Sequence, residues 1–387
     1  MSTNPAGRRF LPGDPDAAGI VTWVHVGDLH MTRAGEQNHR DLLSIVQEIN
    51  EVFAGSIAFV YLPGDVADDG SAAAYAVVRD ALDRLQAPWC SILGDHDVHE
   101  KSFANYLAAM MPEKHYAFAV GPVLFIALNA YDIPEPPSFA MLPEQLDWLQ
   151  HSLARAQQED QKVVLLLHCY PSDLKQGGDR LSELVRDPVV RLVDMGHTHY
   201  NELANDGTTL YSATRSTGQI EEGPVGFSIT NMDGDVISWK FVESGDLPVV
   251  MITSPADERL LTGQMIAYPA PGQPIVLRAK AWGKVPVRRV SAICGGQTID
   301  LSPIPGSRVW QGTIAMDATR EQVQALRVVA EDEAGNHAED AIRWRFADSA
   351  REPAKRALRD QDNVVEPWPE RGLLGTQLGP NKNGRKW

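Results

Sequence analysis

The first hundred residues alternate between short apolar runs and segments with helical periodicity. Residues 20–26, 57–62 and 89–93 are short and apolar, which predicts three buried strands. Between these runs, apolar residues recur at helical spacing over 36–53 and 72–85. Because strands and helices alternate, the pattern favours parallel βαβ units and an α/β fold.

The same alternation continues to about residue 246. Apolar runs on either side of Gly121-Pro122 predict an antiparallel hairpin. Pro143 occupies the favoured first turn of a further predicted helix. Two more buried strands are predicted at 163–167 and 189–195. A closing antiparallel set is predicted at 209–213, 226–231 and 236–242, with Asp233-Gly234 as a hairpin turn.

The pattern changes after residue 246. From Val249 to Phe346 the chain has strand and turn character with almost no helical periodicity, which predicts a small all-β, Ig-like sandwich. The last residues are rich in Pro, Gly, Asn and basic side chains. They also carry Trp368 and Trp387, so we expect part of this tail to pack against the body. The predicted organisation is a polar segment, an α/β domain, the β-sandwich and the tail, over 1–19, 20–246, 247–347 and 348–387.

Composition narrows the choice of partners. The chain has 387 residues and a formal net charge of −16, which argues against general nucleic-acid binding because no overall basic field would attract a polyanion. A phosphate substrate stays open, since bound dications reverse the field locally. No apolar run reaches transmembrane or signal-peptide length. The scattered Cys90, Cys169 and Cys294 do not suggest a disulfide framework. We therefore expect a cytoplasmic protein.

Carboxylate and imidazole side chains cluster where the predicted strands end. The four strings are Asp28-Leu29-His30, Gly64-Asp65, Gly94-Asp95-His96-Asp97 and Gly196-His197-Thr198-His199, and His168 ends another apolar run. These are the ligand types that hard and borderline divalent metals prefer. Seven such groups could hold two metal ions side by side, the arrangement in which a metal-bound hydroxide attacks a phosphate ester.

Each string alone has a simpler interpretation. Gly-Asp pairs at strand ends are often only turns, and Gly-His-x-His arises by chance. Their order and their strand context together favour a dimetal site. Asp68 and Asp97 are expected to support loop geometry or to orient ligands, and Cys169 is expected to be a buried side chain rather than a ligand.

In these strings the chain resembles the calcineurin-like metallophosphoesterases, whose pattern is Asp-x-His, Gly-Asp, Gly-Asn-His-Asp/Glu, His and Gly-His-x-His. The stretches 64–70 and 146–149 resemble the branch with class III cyclic-nucleotide phosphodiesterases and glycerophosphodiesterases. The resemblance covers about residues 20–242. It implies a four-layer αββα sandwich with the site at strand ends.

The resemblance also implies the role of each residue. One metal ion would be held by Asp28, His30, Asp65 and His199. The other would be held by Asp65, Asp95, His168 and His197, with Asp65 bridging. His96 would face the substrate and either stabilise phosphoryl charge or protonate the leaving oxygen. The implied cofactors are two ions of Mn, Fe or Zn.

Asp95 departs from the family pattern, which has Asn at this position. A third carboxylate makes the site less positive, so it should attract a doubly charged monoester less strongly. We hypothesise a bias toward singly charged diesters and a hard metal such as Mn or Fe.

Three functions stay open at this point. The first is hydrolysis of a small diester, such as a cyclic nucleotide or a glycerophosphodiester, by in-line attack of a metal-bridging hydroxide. The second is a phosphomonoesterase with the same site, and the third is a non-catalytic scaffold that binds a partner. The C-terminal β-domain is expected to shape the site rim, bind a partner or mediate homo-oligomer formation.

Overall fold

The computed structural model describes residues 10–132, 139–263, 273–316, 323–346 and 363–375. Their strands form three sheets. The elements of the N-terminal part are β1 (Val21–His25), α1 (Gln37–Glu48), β2 (Phe59–Leu62), α2 (Ala72–Leu82), β3 (Trp89–Ser91), α3 (Ala104–Ala109), β4 (Tyr116–Val120), β5 (Val123–Ala127), α4 (Pro143–Gln158), β6 (Lys162–Leu167), α5 (Gly178–Leu184), β7 (Val190–Met195), β8 (Glu202–Asn205), β9 (Leu210–Ala213), β10 (Gly226–Asp233) and β11 (Val236–Glu243).

Two sheets of this part carry the parallel βαβ units. The first has the order β11-β10-β1-β2-β3, and β1, β2 and β3 are parallel. The second has the order β4-β5-β6-β7-β9-β8, and its four central strands are parallel. The predicted α/β fold is confirmed.

One strand direction was predicted wrongly. β9 was expected in an antiparallel set, but it runs parallel to β7. The chain leaves β7, runs to the sheet edge as β8, and returns through a β8–β9 hairpin into the place beside β7. A periodicity of apolar residues predicts a strand but does not fix its direction.

The two sheets pack face to face through aromatic side chains. Phe59 of the first sheet contacts Phe125 of the second edge-on, with ring centroids 4.9 Å apart. Trp23 contacts the same ring at 5.2 Å. On the outer face of the second sheet, Leu146, Leu149 and Leu153 of α4 join the apolar core. The order of layers is helix, sheet, sheet, helix, as expected for the αββα sandwich.

The C-terminal part forms the third sheet. Its strands are β12 (Val249–Ser254), β13 (Ile275–Trp282), β14 (Val287–Cys294), β15 (Gln297–Pro303), β16 (Val309–Ile314), β17 (Gln324–Asp332) and β18 (His337–Trp344). The order is β12-β13-β16-β15-β14-β17-β18.

This third sheet is antiparallel throughout and curls almost into a barrel. β15 pairs with both β14 and β16, so the two halves are joined rather than stacked as separate sheets. The outer strands meet where the Ile252 amide donates a 2.6 Å hydrogen bond to Asp340 of β18. The all-β prediction is confirmed, whereas the Ig-like classification and the domain boundaries stay predictions.

Part of the C-terminal tail packs against the body. The Val365 amide donates to the Leu203 carbonyl at 2.7 Å, and Trp368 is only 3% exposed. Trp387 lies outside the described residues. None of the helices in the described ranges has the length and apolar character needed to span a bilayer.

Candidate metal centre and active site

The chemically active side chains lie at one edge of the two packed sheets. Each follows the carboxyl end of a parallel strand: Asp28 and His30 follow β1, and Asp65 follows β2. Parallel strands bring their carboxyl ends to the same edge, so their loops meet there. The structure brings together all seven predicted ligands: Asp28, His30, Asp65, Asp95, His168, His197 and His199.

The seven residues form two groups that share Asp65. In the first group, ligand atoms of Asp28, His30, Asp65 and His199 all lie within 4.8 Å of one another. In the second group, the same holds for Asp65, Asp95, His168 and His197. A carboxylate common to both groups is placed to bridge two ions.

The distances inside the groups are short. In the first group, His30 Nε2 lies 3.1 Å from His199 Nε2 and 3.7 Å from Asp65 Oδ2. In the second, His168 Nε2 lies 3.4 Å from Asp65 Oδ2 and 3.2 Å from Asp95 Oδ1. Imidazole nitrogens and carboxylate oxygens therefore converge on two small volumes.

Four of the ligands have left-handed backbone conformations. The φ angles are 42° at His30, 47° at Asp65, 65° at His197 and 64° at His199. Such conformations are uncommon for residues with a Cβ and concentrate at functional sites. At these positions the chain leaves its strand abruptly, which directs the side chains to the sheet edge.

The glycines of the motifs make room for the carboxylates. A Cβ on Gly94 would lie 2.1 Å from Asp65 Oδ1, and a Cβ on Gly196 would lie 2.4 Å from Asp28 Oδ1. No side chain fits at either distance. The glycine in these two motifs is therefore required by the close approach of a carboxylate from another loop.

Hydrogen-bond partners at Nδ1 orient two of the histidines. His168 Nδ1 lies 2.7 Å from the Pro63 carbonyl, which can only accept, so Nδ1 carries the proton and Nε2 faces the ligands. His30 Nδ1 lies 3.2 Å from Asp68 Oδ1 and is oriented in the same way. The Asn38 side chain donates to the backbone carbonyl of His30 and so supports the first ligand loop.

His96 lies beside the first group and is partly exposed. Its Nδ1 donates to the Asp68 carbonyl at 2.8 Å, which leaves Nε2 available to a bound molecule. Burial alone would lower the pKa of His96, but the charge of Asp65, the hydrogen bond to the Asp68 carbonyl and the charge of Asp95 together outweigh burial and raise the pKa. The raised pKa favours the protonated form of this ring at the rim of the site.

Asp97 is buried beneath the site and holds the loops that follow β2 and β3. Its carboxylate accepts hydrogen bonds from the Gly94 and Ala67 amides and, at 2.8 Å, from the Tyr75 hydroxyl. Burial, assisted by the charge of Asp65, raises the pKa of Asp97 to about 7. This role agrees with the predicted one of fixing loop geometry.

Charge in the site is strongly coupled. Burial would raise the pKa of Asp65, but the charge and hydrogen bond of His168, together with the charge of His30, outweigh burial and lower the pKa to about 2. Conversely, burial lowers the pKa of His199, so its ring is neutral and presents a lone pair. Ionised carboxylates and neutral imidazoles are the forms that bind metals, so His168, whose pKa the neighbouring carboxylates raise against the effect of burial, would release its Nε2 proton when a cation binds.

The donor set fits two divalent cations. Asp28 is fully buried, and its Oδ1 has no hydrogen-bond partner within the described part of the chain. The Nε2 atoms of His30 and His199 also face each other, and a cation between them would bind both lone pairs. Buried carboxylates and convergent lone pairs are satisfied when a cation is shared among them.

Three residues near the site lie outside the sequence motifs, and their proximity to the site was not predicted. Gln219 Nε2 donates to Asp68 Oδ1 at 3.2 Å, and Glu221 Oε1 lies 4.0 Å from His199 Nδ1. The ring of Phe139 contacts His197 edge-on at 4.7 Å. They lie on loops far along the chain from the ligands they approach, and no local pattern signals that proximity.

Comparison with known proteins agrees with this geometry. Residues 22–201 match the family model of the calcineurin-like phosphoesterases. These residues are a calcineurin-like phosphoesterase domain. Its ligand groups and its family together make the protein a metal-dependent phosphoester hydrolase.

Relatives of the phosphoesterase domain are distant. The chain is 29% identical to a probable cyclic nucleotide phosphodiesterase from Synechococcus sp. over 193 residues, 46% of this chain and 73% of the relative. It is 25% identical to a probable glycerophosphodiester phosphodiesterase from Arcobacter nitrofigilis over 198 residues, 46% of this chain and 71% of the relative.

Solved structures share the fold of the phosphoesterase domain. A dimetal phosphatase from Danio rerio superposes with a TM-score of 0.50 at 16% identity, covering 58% of this chain and 97% of that chain. At this identity the likeness supports the architecture of the phosphoesterase domain and nothing further about its substrate.

Proposed function

We propose that the phosphoesterase domain hydrolyses small phosphodiesters of the cyclic-nucleotide or glycerophosphodiester type. The observation that carries the proposal is the charge of the site: the carboxylates of Asp28, Asp65 and Asp95 all belong to the two ligand groups. A diester carries one negative charge and a monoester two near neutral pH, so a third carboxylate favours the diester. The names of the two relatives support the same substrate class.

The ligand assignment is part of the proposal. Asp28, His30, Asp65 and His199 would hold one divalent cation, and Asp65, Asp95, His168 and His197 the other. When bound, two such ions polarise phosphoryl oxygens and lower the pKa of nearby water. The carboxylate-rich donor set favours Mn or Fe over softer metals.

The chain's own residues supply the remaining steps. Asp65 holds the two groups together and accepts the His96 amide at 2.9 Å, which fixes the loop that carries His96. His96 directs Nε2 outward, where it either stabilises phosphoryl charge or gives a proton to the leaving oxygen. Water attack then needs no covalent intermediate on the protein.

A substrate pair tests the proposal. The wild-type protein loaded with Mn²⁺ should hydrolyse bis(4-nitrophenyl) phosphate faster than 4-nitrophenyl phosphate. Asp95→Asn removes one charge and should raise the monoester-to-diester ratio by about fivefold, which corresponds to about 1 kcal/mol. Asp80→Asn on the exposed face of α2 is the matched control and should leave the ratio unchanged.

Three results would oppose this function. A faster monoester reaction would favour the phosphomonoesterase alternative, and an unchanged ratio in Asp95→Asn would remove the charge argument. A protein that binds no metal stoichiometrically would favour the scaffold alternative.

We also infer a cytoplasmic location. The support is that Cys90, Cys169 and Cys294 are free thiols in buried positions, as in proteins of a reducing compartment. A homo-oligomer formed through the C-terminal sheet stays a prediction.

A further inference from the structure

The described part of the tail, residues 363–375, crosses both domains and is called the strap here. Val364 pairs with Ala204 at the edge of β8, so the strap begins as an addition to the second sheet. Further along, Trp368, Arg371 and Leu373 are buried. A polar tail that buries these side chains has a fixed position rather than a solvated one.

Arg371 joins the strap to both domains. Its guanidinium is 1% exposed and donates to the Trp239 carbonyl of β11 at 2.8 Å and to Asp340 Oδ2 of β18 at 2.6 Å. A buried guanidinium is stable only when its partners are in place. The strap therefore occupies this position only when the phosphoesterase domain and the C-terminal sheet are docked.

Gly372 places one carbonyl against Asn201, which lies two residues after the predicted ligand His199. The Asn201 side chain donates to this carbonyl at 3.0 Å. Gly372 has a φ of +81°, and a Cβ there would lie 2.7 Å from Cβ of Phe241. Only glycine allows the chain to turn at this point and present the carbonyl to Asn201.

The Asn201 side chain connects the strap to the segment that contacts the ligand backbones. It is fully buried, lies two residues after His199, and accepts the Arg215 amide through Oδ1 at 2.9 Å. The residues after Arg215 hold the backbones of two ligands. The Ser216 amide donates to the His199 carbonyl at 3.4 Å, and the Thr217 amide donates to the Asp28 carbonyl at 2.9 Å.

We propose that the strap is a positioning element of the first metal group, which contains Asp28 and His199. Through Arg371, Gly372 and Asn201 it fixes the segment that holds both ligands. The C-terminal sheet thus completes the metal site of the other domain by anchoring the strap. This inference rests on the proposed dimetal function.

A metal titration of the full chain tests the strap. Arg371→Met keeps an apolar volume of similar size while removing the anchor. We expect two Mn²⁺ binding events in the wild-type protein by isothermal titration calorimetry. In Arg371→Met, one event should weaken about tenfold or more, the range seen when an outer partner of a metal ligand is lost. The other event should change less.

Lys280 offers a matched control. It is another fully buried cation that joins the domains, and its Nζ lies 2.7 Å from both Asp16 Oδ2 and Thr22 Oγ1. These contacts lie at the opposite end of β1 from Asp28. Lys280→Met should lower the melting temperature, as Arg371→Met does, but leave both Mn²⁺ affinities at the wild-type value.

Asn201→Asp is a second, smaller change. It keeps the oxygen that accepts the Arg215 amide and removes the donor to Gly372, so it should weaken the same Mn²⁺ event. Unchanged affinities in Arg371→Met and Asn201→Asp would overturn the strap proposal, and so would equal weakening in Lys280→Met. If the wild-type protein does not show two Mn²⁺ binding events, the dimetal function is contradicted, and the strap proposal, which depends on it, is contradicted as well.

Discussion

The two domains differ in where their backbones depart from ordinary conformations. In the described part of the chain, all seven non-glycine residues with positive φ precede residue 200, and four of them are the proposed ligands His30, Asp65, His197 and His199. The C-terminal sheet turns instead at glycines such as Gly295 and Gly335. Uncommon backbone conformations at non-glycine residues thus occur at the candidate metal site. In the C-terminal sheet, positive φ occurs at glycines, which adopt it readily in turns.

This contrast has a consequence for substitutions. A strained ligand contributes to metal binding and catalysis more than to folding, so its loss should reduce activity with little effect on the metal-free fold. A residue that lies away from the ligand groups, His96 and the strap should affect stability and leave catalysis intact. Four substitutions test the contrast, beginning with the largest expected effect.

Asp65→Asn should have the largest effect. Asp65 belongs to both ligand groups, and Asn tolerates its φ of 47°. Loss of several kcal/mol of charge stabilisation should reduce diesterase activity by at least roughly a thousandfold, and Mn²⁺ stoichiometry should fall below two. The melting temperature of the metal-free protein should change little. Retained activity would remove Asp65 from the site.

His96→Gln separates the proposed substrate-facing role of His96 from metal binding. A general acid typically contributes about 10²- to 10⁴-fold, so kcat should fall by that amount while two Mn²⁺ ions remain bound. His151→Gln on the exposed side of α4 is the matched control and should behave as wild type. If Mn²⁺ is lost together with activity, His96 is a ligand in the group with His30 and Asp68.

Glu202→Gln tests a buried group of the phosphoesterase domain outside the site. Burial raises the pKa of Glu202 to about 8 from 4.5, and Oε2 accepts the Tyr170 hydroxyl at 2.9 Å. The folded state therefore retains a proton that the unfolded state releases, so wild-type stability should fall between pH 4.5 and 8 and level off above.

The Gln variant keeps the hydrogen bond and does not titrate. It should be more stable than wild type by a few kcal/mol above pH 8, with the difference shrinking toward pH 5. Melting temperatures from pH 5 to 9 measure this, and diesterase activity should be unchanged. Parallel curves for the two proteins would contradict the assigned burial cost.

Arg327→Ala should have the smallest effect. Arg327 of β17 pairs with Glu339 of β18, and both side chains are about half exposed. Exposed pairs contribute less than about 1 kcal/mol, so urea unfolding should shift slightly and activity should not change. A marked loss of activity would show that the C-terminal sheet influences the site by a route other than the strap.

The sequence predicted the parts of the site that obey local patterns. Apolar runs located the parallel strands, and because parallel strands end at one edge, the motifs at their ends had to meet. The short helices α3 and α5 and the edge strand β8 were missed, since each has too few turns or residues to show a period.

Contacts between distant segments could not be predicted. Gln219 and Phe139 lie in loops without a motif, and their approach to the ligands depends on how those loops cross the sheet edge. Burial of Trp368 followed from its type, but the contact between Gly372 and Asn201 depends on how the domains dock. Such information resides in tertiary packing rather than in periodicity.

Anomalous diffraction from crystals grown with Mn²⁺ would show whether the protein holds two metal ions. We expect two peaks about 3.5–4 Å apart, one on each side of Asp65, the first against His30 and the second against His168. A single peak, or two peaks away from these side chains, would contradict this expectation.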